Sequence, residues 1–216
     1  MKVKPMIFNT EMVKALMTGD KVVTRRPASP QPEPSGRGYD WWPSNKLEAM
    51  VQVSGFEEID CDFSRDMTKE MVRDACPTAN VGDLIYVRET FRLFNNSDEC
   101  GCSDHCSCPP TGTPIYLATS GDDSESKWTP SIHMPRSVSR LTLKVTDVRI
   151  ERIKDITHDQ VRAEGFKDWT GLAFTWSSIY LKQGLGWDDN PYVWAIEFEV
   201  IHQNVDKYLE SIGDAE

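Results

Sequence analysis

A chain of 216 residues, 39 % hydrophobic and 27 % charged, is composed like a folded domain with a core of its own. It holds no run of about 18 apolar residues, which excludes a membrane-spanning helix, and the opening "MKVKPMIFNT" lacks the apolar stretch of a secretion signal. A cytoplasmic chain with reduced thiols and no membrane partner is the expectation, and a net charge of −10 excludes indiscriminate nucleic-acid binding over the whole surface.

Taken in chain order, residues 10–18 ("TEMVKALMT") predict a helix. Thr10 is placed to cap it, Glu11 suits the positive end of the dipole, Val13, Leu16 and Met17 share a face, and Gly19 stops it. "KVVTRR" reads as a strand ended by Pro27, and the proline-rich "PASPQPEPSGRG" as an exposed loop. A strand is expected within 46–55 and a helix over 66–76. Residues 80–83 turn into an apolar strand at 84–91. Residues 92–113 form a polar, cysteine-rich insertion, 114–120 a strand and 121–127 an acidic loop. Residues 140–153 alternate as one long strand or two joined at a bulge. Thr157 and Gln160 make a capping-box pattern for a helix within 155–166 that Gly165 ends. Leu172, Trp176, Ile179 and Tyr180 have helical spacing, and "YVWAIEFEVI" (192–201) is a buried strand. Many strands with a few short helices and no internal repeat predict an α+β domain on a mostly antiparallel, barrel-like sheet.

Charge is unevenly placed along the chain. Residues 1–27 and residues 133–154 each hold six basic and two acidic side chains, so the remainder carries −18. Two basic segments in an acidic chain point to a local anion site, or else to ordinary solvated strand edges. The first holds "GDKVVTRR" (19–26), with Lys21 three residues before Thr24. In a regular strand Lys21 and Val23 face one way and Val22 and Thr24 the other, so a lysine acting on Thr24 needs an irregular strand start. A desolvated lysine loses its proton readily, and a threonine hydroxyl beside such a base becomes a nucleophile. The plain alternative is a solvent lysine and a β-favouring threonine. In the second segment His133, Arg136 and Arg140, together with Arg26, are candidates to line an anion or base site, because guanidinium presents a planar fork to phosphate. Trp128, Trp41 and Trp42 are candidate stacking faces for a nucleobase, or packing residues. "CGCSDHCSC" supplies Cys100, Cys102, Cys106 and Cys108, with His105 among them. Four thiolates suit a tetrahedral structural zinc, and disulfides or free thiols are the other readings.

The pattern Gly19, Lys21, Thr24, Arg26 resembles the signature of the ASCH domain family, within the PUA-like superfamily of small β-barrels. The resemblance extends to the Gly82-Asp83 turn, the "RAEGF" helix end with Glu164, and "VWAIEF". It implies one PUA-like domain over 1–204 with short peripheral helices, insertions at about 28–75 and 92–130, and a tail at 205–216. "VRETF" and the segment 127–157 are most similar to longer members carried by bacteriophages and prophages. PUA-like barrels often bind RNA or modified bases, and some small ASCH members are amidohydrolases of acetylcytidine. By motif position the resemblance assigns Lys21 as base, Thr24 as nucleophile and Glu164 as the orienting or proton-shuttling group, with no catalytic cofactor. A non-catalytic module for RNA or a modified base is the alternative, with a ribonuclease third.

Overall fold

The structure is a computed structural model and describes residues 1–101, 107–121 and 127–213. The elements run β1 (Val3–Ile7), α1 (Thr10–Thr18), β2 (Val23–Pro27), β3 (Glu33–Pro34), β4 (Asp40–Ser44), β5 (Ala49–Gln52), α2 (Asp62–Ala75), β6 (Leu84–Arg88) and β7 (Phe91–Leu93). They continue with α3 (Asn96–Glu99), β8 (Pro114–Tyr116), α4 (Leu117–Ser120), β9 (Thr142–Arg152), α5 (His158–Ala163), α6 (Trp169–Tyr180), β10 (Tyr192–Ile201) and α7 (Val205–Gly213). The class is α+β with mostly antiparallel strand pairing; β1 and β6 are a parallel pair.

Contacts divide the chain into two compact units. The first comprises residues 1, 19–83 and 144–199, and the second residues 2–18, 84–143 and 200–216.

In the first unit, strands follow the order β9-β10-β2. β2 runs antiparallel to β10, with Thr24 opposite Ile196 and Arg26 opposite Trp194. The proline-rich stretch read as a loop contributes β3, which joins β4 and β5 in a three-stranded antiparallel sheet. Trp42 of β4 is buried edge-on against Trp194, ring centres 5.3 Å apart, and its indole N–H donates to Pro30 O at 2.8 Å. That placement makes Trp42 a core residue rather than a stacking platform. Behind the sheet, Ile153, Trp176 and Val193 pack with Tyr180 and Trp187. Ile156, Val161 and Leu172 form a neighbouring cluster with Phe166 and Trp169. α5 carries the expected capping box: Gln160 N donates to Thr157 Oγ1 at 3.3 Å and Thr157 N to Gln160 Oε1 at 2.8 Å. Gly165 ends it at φ +89°, a conformation that suits glycine.

In the second unit, β1 lies parallel to β6 from Val3–Leu84 to Ile7–Arg88, and β7 and β8 form a short antiparallel pair. Val13 and Leu16 of α1 are buried, but Asn9 caps this helix, its Oδ1 accepting from Met12 N at 2.8 Å, where Thr10 was expected to do so. Thr10 is itself the first helical residue, so the capping position falls one residue earlier. The expected strand 84–91 breaks into β6 and β7, and 114–120 turns helical after Tyr116. Residues 205–213, read as a tail, form α7, which buries Val205.

Candidate functional site

β2 begins at Val23, and Lys21 stands before it in an isolated antiparallel bridge to Glu164, 143 residues away. Val22 N donates to Ala163 O at 2.8 Å, and Phe198 N to Val22 O at 2.9 Å, so backbone bonds stitch the octet to the end of α5 and to β10. Burial alternates at first, with Lys21 and Val23 inside and Val22 exposed; from Thr24 onward both faces are covered.

Lys21 is fully buried. Its Nζ donates to Val23 O at 2.8 Å and to Glu164 O at 2.9 Å, and lies 3.4 Å from Glu164 Oε1. Burial pushes this amine down from 10.5 to about 8, against the attraction of the Glu164 carboxylate and with help from the Arg26 and Arg25 charges. Glu164 caps the C-terminal end of α5, where a carboxylate opposes the helix dipole. Two cations offset that cost. Besides Lys21, Arg25 gives Glu164 two hydrogen bonds, from its backbone N to Oε1 at 3.0 Å and from Nη1 to Oε2 at 2.9 Å.

Arg25 is the residue that sequence reasoning missed. It is 1 % exposed and lies between two carboxylates, Glu164 and Glu151; its Nε donates to Glu151 Oε1 at 2.8 Å. Glu151 in turn accepts from Arg149 Nε at 2.9 Å, and Arg149 also pairs with Glu197. The buried pair therefore continues outward as an alternating row: Lys21, Glu164, Arg25, Glu151, Arg149, Glu197. The "RR" doublet carried a usable signal, because strand alternation sends adjacent arginines to opposite faces.

Thr24 is 1 % exposed, and among the described residues its Oγ1 has no hydrogen-bond partner. Of the three motif residues, Lys21 and Glu164 are in contact, and Thr24 is next in sequence to Arg25, whose amide binds Glu164. The Thr24 hydroxyl itself is bonded to neither.

Arg26 is half-buried at the end of β2, with Nη1 3.4 Å from Arg25 O. The other proposed binding residues belong to the second unit. Arg140 forks onto buried Glu89, both bonds 2.9 Å, and lies 4.0 Å above the Tyr116 ring. Arg136 pairs with Asp206, and its carbonyl accepts from Asn204. His133 is exposed in a short turn, and the Arg92 guanidinium lies 5.4 Å above Trp128. Cys100 and Cys108 are half-buried, whereas Cys102, His105 and Cys106 lie outside the described residues. Among the described residues no group of three or more histidine, cysteine or acidic side chains is arranged to hold a metal. No helix among them is long and apolar enough to cross a membrane.

Compared with family models, with curated proteins and with solved structures, the chain matches none.

Proposed function

We propose that this chain is a PUA-like, ASCH-type domain with a site for a modified nucleoside, free or within RNA, and that it hydrolyses the amide of an acylated base. In this reading Thr24 Oγ attacks the acyl carbonyl and Lys21 Nζ takes the hydroxyl proton. Glu164 holds the lysine in place and moves a proton toward the departing exocyclic amine; water then releases the acyl group from Thr24. The observation that carries this reading is the environment of Lys21: fully buried, with its basicity lowered to about 8, three residues before a buried hydroxyl without a partner. Nζ has three acceptors in reach, the carbonyls of Val23 and Glu164 at 2.8 and 2.9 Å and the Glu164 carboxylate at 3.4 Å, so it must give up its proton before it can serve as the base.

One observation favours a second reading, a module that binds a modified base without turning it over. Both oxygens of Glu164 are already bonded inside the protein, which suits a structural clamp as well as a catalyst. Incubation with acetylcytidine separates the two. Hydrolysis predicts release of cytidine and acetate, lost in both Lys21→Ala and Thr24→Val. Saturable binding of the nucleoside without cytidine release would overturn hydrolysis and support the module.

A further inference from the structure

Helix α2 carries two apolar faces, and its packing in the first unit uses one of them. Val72 and Ala75 are buried. Phe63, Met67 and Met71, spaced four apart, make a second row that faces solvent: Phe63 is 72 % exposed, Met67 49 % and Met71 48 %. Met67 and Met71 form one wall of a groove of about 550 Å³. Leu47, from the turn after β4, and Ala49, at the start of β5, form the other. An apolar row of this length held in water, beside an open groove, is the kind of surface that marks an interaction site.

Carboxylates follow the same row. Asp66, Glu70 and Asp74 are also spaced four apart and exposed, and Glu70 and Asp74 line the groove with the methionines. Like charges at this spacing repel each other along a helix. Among the described residues none of the three makes an ion pair, because the nearby cations are engaged elsewhere. Arg65 pairs with Asp62 and Arg73 with Asp147, while Lys69 lines the opposite side of α2, toward β9. Lys46 donates to the Asp74 carbonyl and to Asn80 Oδ1 rather than to a carboxylate. The groove therefore joins apolar walls to negative charge that the first unit leaves uncompensated, both open to solvent.

That combination selects among occupants. A second copy of this chain would bring a net charge of −10 and, across a two-fold axis, set the same carboxylates against these. An anionic lipid surface or a nucleic acid meets the same repulsion. A cationic amphipathic segment fits both parts, with apolar side chains seated between the methionines and Leu47, and lysines or arginines over Asp66, Glu70 and Asp74. Methionine suits this use because its unbranched, polarizable side chain adapts to anchors of different shape.

We propose that the groove between α2 and the β4–β5 turn docks a basic amphipathic helix of a partner protein, laid in by its apolar face. The groove shares no residue with the Lys21–Thr24–Glu164 group, and its occupation requires no catalysis there.

Fluorescence anisotropy with the whole chain tests it, using labelled peptides of about 15 residues. The first has leucines on one helical face and lysines on the other, the second has glutamates in place of the lysines, and the third has the leucines and lysines in scrambled order. The leucine–lysine helix should bind saturably, at least about tenfold tighter than either control, and more weakly as salt is added. Met67→Ser combined with Met71→Ser changes two half-exposed positions, so the fold is kept and binding should weaken about tenfold. Glu70→Lys should weaken the lysine peptide about fivefold and strengthen the glutamate peptide, an exchange that a purely structural glutamate would not produce. In methyl NMR spectra Met67 and Met71 should shift on binding, and Met134, buried in the second unit, should not. Equal binding of the three peptides, or an affinity unchanged in both variants, overturns the proposal. Self-association, or binding to phosphatidylserine vesicles, that the double serine variant abolishes would give the groove to a second copy or a membrane and overturns it too. Because binding is read directly, its failure is distinct from failure to hydrolyse an acylated nucleoside.

Discussion

The buried amine of Lys21 makes the stability of the chain depend on pH in an unusual direction. In the folded protein it titrates near 8, and in the unfolded chain near 10.5. Below about pH 8 both states are protonated, and the folded state bears the full cost of a buried ammonium. Between 8 and 10.5 the folded protein has released its proton while the unfolded chain still holds one, so the unfolded state binds more protons and stability rises with pH. The gap between the two values corresponds to about 3 kcal/mol when fully traversed, and about 2 to 3 kcal/mol of it is realised between pH 7 and pH 10.

The measurement is urea unfolding of the wild type and of Lys21→Met across that range. Tyr116 and Tyr192, whose hydroxyls burial pushes upward, titrate alkaline too, but both proteins contain them and they cancel in the difference. The methionine variant bears a constant cost, because the carbonyls of Val23 and Glu164 lose their donor. On top of that offset, the wild type should gain about 2 to 3 kcal/mol on the variant, about 1 M in urea midpoint at ordinary slopes. A difference that stays flat, or falls as pH rises, would refute the assignment of a strained ammonium to Lys21.

Other substitutions sort the neighbourhood by mechanism. Glu164→Gln leaves two buried cations facing a neutral amide and should cost about 3 to 5 kcal/mol in denaturant unfolding; a loss under about 1 kcal/mol would mean the pair contributes little. Thr24→Val replaces a hydroxyl without a partner by a methyl group and should be neutral or stabilising by up to about 1 kcal/mol, so a clear destabilisation would show that Oγ1 is satisfied in solution. Gly165→Ala forces a side chain into φ +89° and should cost about 1 to 2 kcal/mol, read as a lowered thermal midpoint. Should acetylcytidine turn over, its kcat/KM should rise with an apparent pKa near 8 as Lys21 becomes neutral, and a profile with no inflection there removes Lys21 as the base.

The elements that could be read from the chain alone are those whose signals are local. α1, α5 and β10 announce themselves through caps, stops and apolar periodicity within a dozen residues. In the three-stranded β3-β4-β5 sheet only β5 falls within an expected strand, that over 46–55, whereas β3 and β4 do not announce themselves. Its strands are two to five residues long, two of them contain proline, and what holds them is each other and the Trp42–Trp194 contact. No alternation survives over so few positions. The same limit applies to the site. Lys21 and Glu164 were tied together by motif resemblance, since nothing local relates residues 143 positions apart. Arg25 and Arg26 carry the same side chain, and the sequence does not reveal that β2 is covered on both faces from Thr24 onward.

That covering explains why the site is built as a row of alternating charges. One buried ammonium beside one carboxylate would be a poor exchange for hydration, since desolvation commonly matches or exceeds the attraction between the two. Here each inner charge has partners on more than one side. Glu164 faces both Lys21 and Arg25, Arg25 faces both Glu164 and Glu151, and Glu151 passes to Arg149. Exposure grows along the same path, from an entirely buried lysine side chain, through a Glu151 carboxylate 16 % exposed, to Glu197 at 42 %. The outermost ion pair is therefore screened and worth little, while the inner members rely on one another because water cannot replace a missing partner. Lys21 sits at the driest end of this row, and burial still outweighs the attraction of Glu164 in setting its basicity.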